Sequence, residues 1–304
     1  MRRAMSPSPA LADAPEVMRT TGWADYELLD SGGGRKLERY GRLRVVRPEP
    51  QCLWAPRLSD SDWTAAEAVF DPSEDEDAGR WRFSGEPPHS FPLAWNDVRF
   101  LGRFTAFRHL GFFPEQAANW AWLDQAAQAT PGARVLNLFG YTGVASLVCA
   151  ARGAAVTHVD ASKRAIGWAR ENAALAGMAD RPIRWLCEDA RRYVQREARR
   201  GSRYEGIILD PPKYGRGPTG EVWRLFEDLP GLMAQCAELL SDDARFLVAN
   251  VYAERISGLS LAGLMQQALA GRGGRIDWGE LALAEPSGER GVGLSFFARW
   301  TPQA

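Results

Sequence analysis

An α/β fold is predicted by three observations: a largely parallel sheet with an antiparallel C-terminal hairpin, preceded by a small β-rich region. From Pro131 onward, apolar β-like runs alternate with helical stretches. That alternation marks βαβ units, whose strands are buried on both faces and so read as continuous apolar runs. Before residue 105 the runs are shorter and are separated by Gly, Pro and Asp, as in an antiparallel domain. Near the C-terminus, residues 276–283 and 293–300 flank Pro286, Gly288 and Gly291 with no helix between them, the pattern of a hairpin closing the sheet.

Residues 1–20 carry Arg2 and Arg3 but no apolar core, and Ser and Pro interrupt them; they read as a disordered tail, not a signal peptide. Residues 21–104 read as the small β-rich domain, with strands at 42–47, 51–54, 80–83 and 98–101 and loops at 31–34 and 71–77. Trp23, Trp54, Trp63, Trp81 and Trp95 would fill its core. Residues 105–304 read as the larger domain, with strands at 134–138, 155–159, 183–187, 206–209 and 245–251. A helix over 162–176 follows from Ile166, Ala169, Ala173 and Ala176 at helical spacing, with Gly177 as its cap.

Composition narrows the function classes. The chain has 304 residues, 45% of them apolar and 25% charged, with a net charge of −1. The whole molecule therefore exerts no general pull on polyanions, and any contact with nucleic acid must come from a local patch. Cys52, Cys149, Cys187 and Cys236 stand far apart with no C-x-x-C, which argues against a disulfide scaffold and a zinc site and fits a reducing, cytoplasmic setting. His89 and His109 are too isolated to suggest a metal, and His158, inside a strand pattern, reads as a core histidine. No run approaches the ~18 apolar residues of a membrane span, so no membrane partner is expected.

The strand ends carry the chemistry. The first strand runs through Asn137 into Phe139-Gly140-Tyr141-Thr142-Gly143 and then a helix over 144–151. Glycines there admit a ligand close to the backbone, and helix N-terminal amides favour a carboxylate or phosphate, although glycine turns are common by themselves. Asp160 ends the second strand 20 residues after Gly140, where a carboxylate suits two ribose hydroxyls. Glu188-Asp189 ends the third strand, in reach of an adenine amino group. Single strand-end carboxylates are often only solubilising charges; three strand ends in order point to an adenosine cofactor. The turn is G-x-x-G and lacks the third glycine of the dinucleotide fingerprint, so a cofactor without pyrophosphate, S-adenosylmethionine, fits better than a nicotinamide.

The fourth strand delivers Asp210-Pro211-Pro212-Lys213-Tyr214. Two prolines stiffen the turn and remove its amides, so its carbonyls would be pure acceptors facing outward. An acidic oxygen beside them can hold an N–H-bearing acceptor in line with a sulfonium methyl, and Tyr214 can stack on a flat base.

These motifs together resemble the class I S-adenosylmethionine-dependent methyltransferases, a Rossmann-like fold. They are most similar to the large-subunit ribosomal RNA methyltransferase group, whose fourth strand ends in D-P-P-x-aromatic. The carriers are residues 137–143, residues 159–163, the helix containing Asn172, Glu188-Asp189-Ala190 and residues 210–214. The resemblance implies that the turn at 139–143 holds the methionine part. It assigns Asp160, with Ala161 and Ser162, to the ribose, and Asp189, with Glu188 and Ala190, to the adenine. Residues 109–116 are similar to a segment lining the active site in that group, which makes Gln116 and Phe113 candidates for contact with cofactor or substrate.

The branch that methylates cytosine C5 uses a cysteine after the fourth or fifth strand. None stands there, and Cys187 reads as a small core residue, so a base nitrogen in RNA is the expected acceptor. A protein side chain or small molecule is the alternative acceptor, and a nicotinamide-dependent dehydrogenase the alternative enzyme. Lysine occurs only at Lys36, Lys163 and Lys213; Lys213 could steer a substrate phosphate. Arg191, Arg192, Arg196, Arg199, Arg200 and Arg203 could grip phosphates, but a solvated helix face explains them as well.

Overall fold

The computed structural model describes residues 7–73, 78–252 and 256–303. Strands β1 (Ala10–Leu11) and β2 (Glu16–Thr20) come first. They are followed by β3 (Tyr26–Gly32), β4 (Arg35–Tyr40), β5 (Leu43–Pro48), α1 (Asp60–Thr64), β6 (Ala68–Pro72), β7 (Gly79–Phe83), β8 (Phe91–Trp95) and β9 (Val98–Gly102). A 3₁₀ turn (Pro114–Gln116) leads into α2 (Ala117–Gln128). Strand and helix then alternate: β10 (Arg134–Leu138), α3 (Val144–Ala151), β11 (Ala155–Asp160), α4 (Lys163–Leu175), β12 (Ile183–Cys187), α5 (Ala190–Arg199) and β13 (Gly206–Leu209). The remaining elements are β14 (Tyr214–Arg216), β15 (Val222–Arg224), α6 (Leu225–Leu239), β16 (Phe246–Tyr252), α7 (Gly258–Ala268), β17 (Arg275–Ala284) and β18 (Gly291–Thr301).

Two compact units divide the chain. One comprises the described residues up to Met18, Asn119–Leu281 and the residues from Ser295 on; the other comprises Arg19–Ala118 and Ala282–Leu294. The first unit is built on a sheet ordered β1-β17-β18-β16-β13-β10-β11-β12, with β2 also on β17. Strands β16, β13, β10, β11 and β12 run parallel, and β18 returns antiparallel to β16. The central strands are apolar on both faces: Leu136, Ile207 and Leu247 on one and Val135, Ile208 and Val248 on the other are all buried, as a sheet covered by helices requires. Chain order runs β10, β11, β12 to one side and then crosses to β13 on the other flank of β10. The topological switch point, where open α/β sheets bind ligands, therefore lies between the carboxyl ends of β10 and β13.

The second unit holds the five-stranded sheet β3-β4-β5-β6-β7 and the hairpin β8-β9. Pairing in that sheet is antiparallel except between β5 and β6. Strands β3 and β4 escape the sequence reading because charged side chains point inward. Glu38 is fully buried, and its carboxylate accepts from Arg47, Tyr26 and Tyr40. Burial alone would raise its pKa, but the Arg47 and Lys36 charges and those hydrogen bonds hold it at about 2. Residues 282–294 belong to this unit too: Arg290 binds Asp30 (2.8 Å) and Glu285 (3.0 Å).

Several expectations need correction. Residues 10–11 and 16–20, read as disordered tail, are strands paired to β17; residues 1–6 lie outside the described chain. Residues 51–54 form no strand, since Cys52 N bonds Glu49 O and Leu53 N bonds Gln51 O in a tight turn. Ser31 and Gly32 extend β3, leaving Gly33 and Gly34 to turn the chain, and the expected loop at 71–77 begins with two β6 residues, its 74–77 portion lying outside the described chain. Of the five tryptophans assigned to this core, Trp63 and Trp95 are buried and the other three half-buried.

Candidate functional site

Backbone hydrogen bonds stitch the strand-end loops along one edge of the sheet. Gly140 N bonds Val159 O (3.1 Å), Glu188 N bonds Asp160 O (3.1 Å), and Asp210 N bonds Leu138 O (3.4 Å). The Asp-Pro-Pro lip, the glycine turn, Asp160 and Glu188-Asp189 thus follow one another in that order, with the lip and the turn on either side of the switch point.

The turn is strained. Phe139 and Tyr141 sit at φ 57° and 50°, a left-handed conformation that costs a non-glycine residue about 1 kcal/mol or more. Gly143, at φ 86°, serves as the N-cap of α3. Gly140 is required for a different reason: a Cβ there would lie 2.4 Å from the His158 ring. His158 is fully buried on β11, its Nδ1 is 2.9 Å from Ser146 Oγ, and that hydroxyl accepts from Asn137 Nδ2 (2.9 Å). Burial drives the His158 pKa down to about 3, against a smaller opposing effect of the Tyr141 backbone, so the ring is neutral at any physiological pH. Asn172 of α4 braces the turn from the other direction, donating to Thr142 O (2.9 Å). Asn137 is itself buried on β10, its side-chain amide engaged with Ser146.

Asp160 is held by two amides, Tyr141 N and Ser162 N, each at 2.8 Å and each on a different carboxylate oxygen. Burial raises its pKa, and those two amides oppose the rise. Ser162 in turn caps α4 through Ala165 N. On the third strand, Asp189 caps α5, accepting from Arg191 N and Arg192 N, and pairs with the Arg191 guanidinium (3.1 Å). Glu188 forms a forked pair with Arg196.

The arginines after β12 are mostly spoken for by neighbouring acids. Arg191 also binds Asp228 (2.7 Å), Arg192 binds Glu221, and Arg200 binds Glu197 (3.1 Å). The result is a salt-bridged helix face more than a phosphate grip.

At the lip, Asp210 Oδ1 accepts from Asn250 Nδ2 (2.9 Å), a buried side chain on β16. Pro211 is buried and Tyr214 half exposed. The carbonyls expected to face outward are partly used within the protein, because a lip without amides must be anchored through its acceptors. Pro212 O accepts from Trp223 Nε1 (2.7 Å), and Lys213 O from Leu225 N (3.0 Å). Lys213 and Tyr214 run straight into the hairpin β14-β15, where Tyr214 pairs with Arg224. Nothing in the strand–helix rhythm announced this hairpin.

Gln116 and Phe113 belong to the other unit; Gln116 is buried in the 3₁₀ turn. Cys187, expected in the core, is exposed: it ends β12, the edge strand of the sheet, and its Sγ lies 3.5 Å from Ala161 O. Sequence reasoning missed Asn250, Trp223 and the supporting role of His158. Asn250 lies within the strand expected at 245–251, but polar residues in a buried strand carry no label of their partner.

The donor set suits an adenosine-bearing sulfonium nucleoside: a half-buried carboxylate at the second strand end, a close-approach glycine turn, and acids at the third. A family model described as S-adenosylmethionine-dependent methyltransferase matches residues 55–251. The chain belongs to that family. This sets aside the nicotinamide-dependent dehydrogenase as an alternative.

A solved structure, the SAM-dependent methyltransferase from Agrobacterium tumefaciens, is similar with 50% sequence identity and a TM-score of 0.94, covering 100% of this chain and 98% of that one. The ribosomal RNA large subunit methyltransferase K/L of Shewanella frigidimarina is 32% identical over 155 residues, or 50% of this chain and 21% of that protein. The ribosomal RNA large subunit methyltransferase I of Alteromonas mediterranea is 30% identical over 131 residues, or 43% of this chain and 32% of that protein. The chain thus matches a third or less of the length of these curated relatives. Among the described residues, no helix is long and apolar enough to cross a membrane, and no cluster of His, Cys, Asp and Glu could hold a metal ion.

Proposed function

We propose that the protein transfers the methyl group of S-adenosylmethionine to a base nitrogen of RNA, ribosomal RNA being the substrate, in the cytoplasm. The observation that carries the reading is the adjacency of the glycine turn and the Asp210-Pro211-Pro212 lip across the switch point. In this reading residues 139–143 take the methionine part, Asp160 with Ala161 and Ser162 the ribose, and Asp189 with Glu188 and Ala190 the adenine. Bound S-adenosylmethionine supplies an electrophilic methyl on sulfur. Asp210, fixed by Asn250, accepts the hydrogen bond of the acceptor N–H and takes that proton as the nitrogen gains the methyl. The stiff lip limits the acceptor to one approach, Tyr214 offers a ring face to the base, and Lys213 a charge to a phosphate. In this reading the unit that contains Asn119–Leu281 carries the transfer.

Tritium transfer from labelled S-adenosylmethionine to undermethylated ribosomal RNA, run beside a cell protein fraction, tests the acceptor. Label in the RNA is the expected outcome. Label confined to protein would support the second reading, a protein side chain, which the salt-bridged arginines of α5 favour.

Asp160 gives a pH prediction. Ribose hydroxyls donate to the ionised carboxylate, so binding is strongest above its pKa, which burial raises. Affinity for S-adenosylhomocysteine is expected to be flat near neutrality. On acidification it should fall by up to about tenfold per pH unit, beginning above the usual carboxylate range. Asp160→Asn should bind more weakly and lose that acid limb. Calorimetric titrations across pH check both, and a variant retaining the limb would remove Asp160 from the ribose site.

A further inference from the structure

We infer that Trp223 is a positioning residue that sets the separation between the Asp210-Pro211-Pro212 lip and the glycine turn, and through it the alignment of methyl donor and acceptor. The inference rests on the reading of turn and lip as cofactor and acceptor sides of one site. Trp223 lies on β15 opposite Gly215 and is only 3% exposed. It makes three contacts that tie the lip to the turn and to the third strand end. Its Nε1 donates to Pro212 O at 2.7 Å. Its ring packs on Phe139 of the turn, with centroids 4.9 Å apart. The Arg191 guanidinium sits 5.9 Å from its ring centroid while also pairing with Asp189 and Asp228.

The reason for a tryptophan follows from the lip itself. Pro211 and Pro212 have no N–H, so this stretch cannot anchor itself by donating; it can only accept. After Asp210 N, whose bond to Leu138 O is long at 3.4 Å, the next backbone tie is Lys213 O to Leu225 N. The indole N–H fills that gap, and the rest of the indole supplies the apolar face against Phe139. Phe139 is one of the two non-glycine residues of the turn held in a left-handed conformation, so a packed neighbour is what keeps it there. A displacement of about 1 Å between reacting groups costs in-line transfer on the order of 10²-fold, which makes this contact a kinetic device as well as a structural one.

Trp223→Phe keeps a ring against Phe139 and removes only the donor; Trp223→Leu removes both. Three measurements decide: S-adenosylhomocysteine affinity, kcat and KM for whichever acceptor the unaltered protein methylates, and amide hydrogen exchange. For W223F, kcat is expected to fall about 10- to 100-fold with KM and cofactor affinity within about twofold. Exchange at residues 213–216 should quicken at least about tenfold while β10 and β13 stay protected. W223L should in addition weaken cofactor affinity by about fivefold or more. A W223F protein with unaltered exchange at 213–216, or with kcat within about twofold of the parent, overturns the inference. So does one that loses protection across the whole sheet or fails to fold, since Trp223 would then be structural only. The exchange and cofactor measurements need no acceptor, so a failure of RNA methylation in the unaltered protein is distinguishable from a failure here.

Discussion

Asp210→Ala is expected to lower methyl transfer by about 10²- to 10⁴-fold while S-adenosylhomocysteine affinity stays within about twofold. The carboxylate leaves the sheet at the switch point, its backbone amide on Leu138 O and its Oδ1 on the Nδ2 of buried Asn250. It is therefore preorganised, and preorganised groups contribute to the transition state without rearranging. Asp210→Asn keeps the shape but removes the charge and the proton acceptor, and should fall nearly as far as alanine. Asn250→Ala leaves the carboxylate in place with one fewer anchor and should cost less, about tenfold. Single-turnover transfer with saturating cofactor reads the ordering directly. A rate for Asp210→Ala within about threefold of the parent would take Asp210 out of the chemistry.

Gly140→Ala should cost about 2–3 kcal/mol of stability and, in the fraction that folds, at least about 100-fold in cofactor affinity. The added methyl would stand 2.4 Å from Cε1 and 2.5 Å from Nδ1 of His158. That ring has nowhere to go: it is fully buried, engaged with Ser146, and packed 4.8 Å from the Trp185 ring centroid. Relief must come from the turn, whose left-handed residues on either side are already strained. Replacing His158 by alanine destabilises on its own account, yet it should recover most of the clash in the Gly140→Ala background. The double-mutant cycle should return a coupling of about 1–3 kcal/mol. Denaturant melts of the four proteins measure it, and additive effects would mean that the turn accommodates the methyl elsewhere.

Both predictions show where sequence is informative and where it is silent. Gly140 is conspicuous as one glycine of a G-x-x-G turn, but the reason it must be glycine, a histidine ring from the next strand, depends on β10 and β11 lying side by side. Asp160 and Asp210 stand out because they end apolar runs. Their partners do not, since the Tyr141 amide and Asn250 come from other strands or turns. Asp189 was legible as a strand-end acid, while its duties as helix cap and as Arg191 partner needed coordinates. The α5 arginines looked like a possible phosphate patch because a run of like charges along the chain hides the acids across from it.

What the amino-acid order determined alone was local and periodic. It set the alternation of buried strands and amphipathic helices, the motif at each strand end, and with these the class of cofactor, because apolar runs and short motifs act over a few neighbouring residues. Three things were decided only by tertiary structure. These are the return of residues 282–294 to the β-rich unit, the hairpin β14-β15 beyond the lip, and the bracing of the lip by Trp223. Arg290 and Asp30 stand 260 residues apart, and Trp223 and Pro212 11 apart across an irregular connection; contacts of either kind leave no period or spacing behind, and they form because buried donors and acceptors must find partners wherever the fold puts them.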